Sequence, residues 1–191
     1  MYPHLVVGFH GCSKAVGEAV LSGEIRHLSP SNNSDEWLGK GVYFWENDYD
    51  HALQWSENHI QPSDEPFVLG ALINPGNCFD LTTTAWLQIL QKAASGMKLE
   101  YRRRHKRLPS NHKLRHSYDC ALVNYARETW NDMGTRGEIN TVRGAFYEGE
   151  NIGDSTFGSL NHIQWAVATP EISILGYFRP TEAMRELLRV M

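Results

Sequence analysis

Two phrases in the first third of the chain set chemistry-bearing side chains beside small residues. The first is Val-Val-Gly-Phe-His-Gly-Cys-Ser at Val6–Ser13, and the second is Trp-Leu-Gly-Lys-Gly-Val-Tyr-Phe-Trp at Trp37–Trp45. The first predicts a short strand ending in His10 and Gly11, with a helix after it. The second predicts a Gly-rich loop entering a strand that carries Tyr43, which faces opposite to Val42 and Phe44 because side chains alternate along a strand. A ring nitrogen and an aromatic face are thus presented at the ends of two strands. Glycine beside them lets the main chain come close, an arrangement suited to a flat heteroaromatic ligand.

A second group of candidates lies late in the chain. In His162-Ile163-Gln164-Trp165-Ala166-Val167, alternation puts His162, Gln164 and Ala166 on one face and Ile163, Trp165 and Val167 on the other. Glu148 follows a strand and enters a Gly-rich loop, with Glu150 close behind. A carboxylate or carboxamide at such a place can hydrogen-bond a ligand hydroxyl, and a carboxylate can stabilise positive charge that develops beside it. His112 and His116 stand at i, i+4, but no third metal ligand is suitably spaced with them, so solvated basic surface is the expectation. His10, Cys12 and Ser13 match no nucleophilic triad. Neither a P-loop nor Gly-x-Gly-x-x-Gly is present, so nucleotide binding of the Rossmann kind is not expected.

His10-Gly11 followed by a helix, then Gly39-Lys40-Gly41-Val42-Tyr43-Phe44 about thirty residues later, resembles the ADP-ribosyltransferases related to diphtheria toxin and the poly-ADP-ribose polymerases. The resemblance covers roughly residues 5–58 and weakens afterwards. It implies a split, mixed β-sheet sandwich with flanking helices and an NAD cleft between two small sheets. It implies that His10 holds a ribose hydroxyl of NAD, that Gly11 backbone groups hold the carboxamide, and that the Tyr43 ring packs against nicotinamide. Trp55 falls where family members carry a second aromatic, either as the other face of a nicotinamide sandwich or as plain core. Cys12 replaces the usual Ser or Thr, a loss of a hydroxyl donor with Ser13 next door; both, with Gly41, complete the expected NAD-contacting set. For the late acidic element, Gln164 is the positional match and Glu148 the charged partner, and the choice between them stays open.

The implied activity is transfer of a single ADP-ribose from NAD to a macromolecular acceptor, since Gln in place of Glu disfavours polymer growth. A compact transferase of this kind resembles bacterial or phage-defence toxins, for which a neutralising antitoxin protein is implied. Two other classes stay open: an NAD-dependent RNA 2′-phosphotransferase-like enzyme, for which Arg143 or His162 beside His10 would count, and a non-catalytic NAD or ADP-ribose binding module. Between Lys98 and His116 stand eight Lys/Arg against one acid, Glu100, in a chain of net charge −4. Such a patch on an otherwise acidic body suggests a polyanionic acceptor, RNA or DNA ahead of an acidic protein, met by Arg102, Arg103, Arg104, Lys106 and Arg107.

The elements that must position these residues follow from pattern. At 191 residues, with 41% apolar content and six Trp, one α+β domain over residues 1–191 is expected. Strands are predicted at Leu5–His10, Gly41–Trp45, Phe67–Ile73, Cys78–Leu81, Thr141–Tyr147, His162–Ala168 and Ile172–Phe178. Helices are predicted after Ser13 with Ala15, Val16, Ala19 and Val20 buried, after Asp48 with Ala52, Leu53 and Trp55 buried, at Ala85–Ala94, at Tyr118–Met133 and at Thr181–Met191. Residues 82–135 read as a helical insertion. No apolar run of about eighteen residues exists, and no basic leader precedes a long apolar core, so neither a membrane span nor a signal peptide is expected. Cys12, Cys78 and Cys120 are scattered and odd in number, which fits a reducing cytoplasm.

Overall fold

The computed structural model describes residues 4–112, 115–134 and 137–190. The order of elements is β1 (Val6–Ser13), α1 (Lys14–Leu21), β2 (Val42–Glu46), α2 (Tyr49–His59), β3 (Pro66–Ile73), β4 (Cys78–Asp80), α3 (Thr84–Arg103), α4 (Ser117–Met133), β5 (Thr141–Phe146), β6 (His162–Val167), α5 (Pro170–Ser173), β7 (Ile174–Phe178) and α6 (Glu182–Val190). The chain is α+β: a mixed sheet of seven strands in the order β4-β5-β6-β2-β1-β3-β7, flanked by helices. The strands are joined as one hydrogen-bonded sheet rather than two. The junction at its middle is narrow, because β1 and β2 pair only through Gly8 with Glu46 and Phe9 with Trp45.

Alternation along the strands sorts the core. Val6, Cys12, Val42, Phe44, Leu69, Ala71, Trp165 and Val167 pack together, with Val20 of α1 among them. Phe9, Trp45 and Val68 instead meet Tyr49 and Ala52 of α2. Gly11 permits that contact, since a Cβ there would collide with the Ala52 carbonyl oxygen. Leu38, Phe79, Val142 and Ala166 pack on Val123 and Ala126 of α4, with Trp86 of α3 against them. The helical segment is therefore the crossover between β4 and β5, which are parallel neighbours and so need a long connection.

Several element boundaries and faces differ from those read in the sequence. In α1 the buried positions are Gly17 and Val20, while Ala15 and Val16 face solvent, because the Phe67 ring of β3 lies directly against Gly17. In α2, Tyr49, Ala52 and Ser56 are buried, and Trp55 is 37% exposed. Helix α3 runs past Ala94 and through Gly96 to Arg103, since the Tyr125 hydroxyl of α4 packs over Gly96. The last strand starts at Ile174, because Pro170 opens a single helical turn before it. The expected end of the terminal helix, Met191, lies outside the described residues. Among the described residues no helix is long and apolar enough to cross a membrane.

A half-buried ion-pair network joins β2, β4 and β5. Arg143 meets Glu46 through Nε at 2.9 Å and Nη2 at 3.3 Å, and the Trp165 indole donates to the same Glu46 at 2.7 Å. Asp80 adds a second carboxylate 3.5 Å from Arg143. Removing one partner of a buried pair leaves a charge uncompensated, which costs about 3–5 kcal/mol when burial is complete. Partial exposure lowers that figure. Glu46→Gln should therefore lower unfolding free energy by about 2–3 kcal/mol in urea titration.

Candidate functional site

At the narrow junction, β1 and β2 separate beyond the Phe9–Trp45 pair, and the His10 side chain fills the gap. Its Nδ1 lies 2.8 Å from the Tyr43 carbonyl oxygen. A carbonyl only accepts, so Nδ1 carries the proton, and in the neutral ring Nε2 holds a lone pair. Burial is the main influence on His10 and holds its pKa below the ordinary histidine value, against the opposing pull of the Tyr43 carbonyl. His10 is thus a neutral acceptor with one nitrogen fixed.

The junction opens into a cleft of about 510 Å³ whose walls include His10, Gly11, Tyr43, Trp55, Glu148 and Gln164. That size is within the range of small-molecule sites. Tyr43 is anchored at its far end, where the hydroxyl donates to Gly39 O at 2.8 Å and accepts from Leu38 N at 3.0 Å. Gly39 has φ of +77°, a backbone state that a side chain would strain. Gln164 is fixed as well: the Trp37 indole donates to its Oε1 at 2.6 Å. An indole N–H has no acceptor role, so the Gln164 –NH2 group is the end left for other partners. Trp55 stacks on His59 with ring centroids 4.6 Å apart and an interplanar angle of 10°. One of its faces is therefore already covered.

Glu148 opens the loop between β5 and β6. That loop is tied back by Glu148 N to Asn161 Oδ1 at 2.9 Å and Leu160 N to Glu148 O at 3.0 Å. The Glu148 carboxylate lies 3.8 Å from Nε2 of His51 and 3.8 Å from Nδ1 of His162. His162 has its pKa lowered mainly by burial, against the opposing hydrogen bond to the Leu160 carbonyl, with the neighbouring His51 adding to the lowering. Asp48, behind His51, is raised by burial, but hydrogen bonds from His51 outweigh this and leave it below the ordinary value.

Three residues expected at the site lie elsewhere. Cys12 belongs to the core cluster around Leu69 and Trp165, and burial pushes its thiol up to about 11. Ser13 caps α1, its Oγ accepting from Val16 N, so its hydroxyl does not stand in for the one that Cys12 lacks. Gly41 pairs with Ser31 and lies against the backbone of Val167. The acceptor candidates Arg102, Arg103, Arg104, Lys106 and Arg107 are all exposed, and Arg104 pairs with Glu100 at 2.6 Å. None of them is among the residues lining the cleft, although His116, just after this segment, is. Lys113 lies outside the described residues.

Sequence reasoning overlooked His51, Glu36 and Trp45, which also line the cleft. Trp45 shares the strand phrase of Tyr43 and sits two residues on, so the period-2 rule places it on the same face. His51 lies three residues past the cap Asp48 and stacks on Trp45, with centroids 5.7 Å apart. Glu36 is held by Ser31 at 2.5 Å and Asn33 at 3.1 Å, and its pKa is raised chiefly by burial. No pattern in the loop signalled it.

No family model matches the chain, and no solved structure does. A stretch of 47 residues, 25% of this chain, is 34% identical to an uncharacterized protein of Methanocaldococcus jannaschii. The match covers 21% of that protein's length.

The lowered His10 pKa has a consequence for stability. An unfolded histidine takes up its proton near pH 6.5, while the folded one resists until lower pH. The unfolded state therefore binds more protons in that window, and stability falls as pH drops through and below about 6.5. His10→Gln, which keeps a donor for Tyr43 O, should shallow the fall in Tm between neutral and mildly acidic buffers.

Proposed function

We propose that the chain is an NAD-dependent mono-ADP-ribosyltransferase working in this cleft. One observation supports the reading above the others: His10, Gly11, Tyr43, Trp55, Glu148 and Gln164 line the same cleft, although the chain separates the first from the last by most of its length. These are residues that the resemblance ties to NAD and its cleavage. In this reading Nε2 of His10 accepts from a ribose hydroxyl, Gly11 backbone groups hold the carboxamide, and the Tyr43 ring covers nicotinamide. The Gln164 amide, its oxygen held by Trp37, donates to the 2′-hydroxyl of the same ribose.

The bond between ribose C1′ and the nicotinamide nitrogen then breaks, and its electron pair leaves with nicotinamide. Positive charge on the sugar meets the carboxylate of Glu148. A nucleophile of the acceptor bonds to C1′ and gives up its proton to a nearby base. A polyanionic acceptor, RNA or DNA ahead of an acidic protein, would be drawn by the exposed Arg102–Arg107 segment. The same resemblance favours a toxin or phage-defence role, with an antitoxin as partner.

The RNA 2′-phosphotransferase-like reading asks for basic groups beside His10. His162 does line the cleft, but Arg143 is committed to Glu46 and Asp80. A non-catalytic binding module is the remaining reading, and turnover separates it from the other two.

Labelled NAD incubated with the protein and a cell extract, with or without nuclease or protease, tests the proposal and identifies the acceptor class. His10→Ala should abolish release of nicotinamide while far-ultraviolet circular dichroism stays unchanged; wild-type turnover in that variant would end the transferase reading. Tyr43→Ala should weaken NAD binding by about 1–3 kcal/mol, by analogy with base–aromatic stacking. Glu148→Gln should cut kcat sharply with little change in NAD affinity, because its effect is confined to the transition state.

Reversing Arg102, Arg103 and Arg104 to Glu should raise the acceptor KM and flatten the salt dependence of transfer. NAD hydrolysis without an acceptor should survive that change. Unaltered transfer would leave the segment as solvated surface.

A further inference from the structure

We propose that His51, Glu148 and His162 form a binding site for a zinc-class divalent cation at one end of the cleft. The three come from α2, the β5–β6 loop and the start of β6. One ligand atom from each lies within 4.8 Å of the others. Two nitrogens and a carboxylate oxygen suit a borderline ion such as Zn²⁺, whereas Mg²⁺ and Ca²⁺ favour sets made of oxygen alone.

The second shell supplies an independent argument. His162 Nδ1 donates to the Leu160 carbonyl at 2.8 Å, which leaves the lone pair on Nε2. The His162 side chain is 2% exposed, and Nε2 is buried without a hydrogen-bond partner. A buried ring nitrogen with no partner is costly, and a metal ion would satisfy it. His51 is backed in the same manner: its Nδ1 faces the Asp48 carboxylate at 3.5 Å, and its Nε2 faces Glu148. Metal-bound histidines usually have the far nitrogen held by a carbonyl or carboxylate, which fixes tautomer and ring orientation.

The distances also fit. Ligand atoms about 2.0–2.1 Å from a tetrahedral ion lie about 3.3 Å from one another. The separation of 3.8 Å between the Glu148 carboxylate and Nε2 of His51 needs a contraction of about 0.5 Å, and no two of the three ligand atoms are more than 4.8 Å apart. Three protein ligands leave a fourth position for water or a ligand oxygen. This site stands on its own geometry, whether or not the cleft transfers ADP-ribose.

The test is a Zn²⁺ titration of the full chain after chelator treatment, read by calorimetry, with Co²⁺ as a spectroscopic probe and Mg²⁺ as a control. One equivalent of Zn²⁺ should bind, Co²⁺ should give the intense visible bands of four-coordinate geometry, and Mg²⁺ should not compete. Glu148→Gln changes an exposed loop side chain and should weaken Zn²⁺ by tenfold or more. Asp48→Asn keeps a good cap for α2 but removes the charge behind His51, and should weaken Zn²⁺ by roughly 10–100-fold. Circular dichroism verifies folding, and these two variants decide the matter even if His162→Ala does not fold. No stoichiometric binding, or equal affinity in wild type, Glu148→Gln and Asp48→Asn, would overturn the site and assign any zinc to scattered surface histidines.

Discussion

The hydrogen bond from His10 to the Tyr43 carbonyl is the contact on which the cleft depends. On one side of it lie β1, β3 and β7, and on the other β2, β6, β5 and β4. The backbone ladder between the two groups is short. Past its end, a backbone acceptor on β2 would otherwise go unpaired inside the protein, at a cost of about 1–3 kcal/mol. His10 meets that demand from its side chain, so the strands can diverge without an orphaned carbonyl. The divergence makes the opening, and the residue that permits it is left facing into the opening with a free lone pair.

The same economy recurs around the walls. Tyr43 has its hydroxyl fixed by Leu38 and Gly39, Gln164 its carbonyl by Trp37, and His162 its Nδ1 by Leu160. Each polar side chain is anchored at one end by the protein; the Tyr43 ring and the Gln164 –NH2 group are left to the cleft, while the second nitrogen of His162 is buried. Groups held in this manner lose little further freedom when a ligand arrives, and they need no reorganisation as charge develops. This is the physical content of the site, and it does not depend on which ligand the cleft takes.

Much of the scaffold was legible because local rules and tertiary packing agree. Ser13 and Asp48 do cap α1 and α2, and period-2 alternation set the faces of Val42, Tyr43 and Phe44 correctly. Where local pattern failed, a contact distant in sequence was responsible. The Phe67 ring turned the buried stripe of α1 onto Gly17, and Tyr125 carried α3 through Gly96. The glycines of the motif proved partly architectural: Gly11 makes room for the Ala52 carbonyl and Gly39 supplies a left-handed turn. The assembly of His51, Glu148 and His162 was invisible, since it needs the pairing of β5 with β6 and the docking of α2 to exist at all.

Glu148 is where the chemical demands on the cleft converge. Its backbone is tied by Asn161 and Leu160, while its side chain remains 38% exposed between two histidines. A carboxylate in that position can meet positive charge from three sources: a protonated histidine, a metal ion, or a developing oxocarbenium. These uses compete, because a carboxylate bound to a dication has little negative potential left for a sugar at the same oxygen. Gln164 faces no such competition, since its oxygen is given to Trp37 and its amide carries no charge. The division of labour follows from that difference. Gln164 suits positioning, which needs a fixed donor, and Glu148 suits a role whose strength depends on what else occupies the cleft.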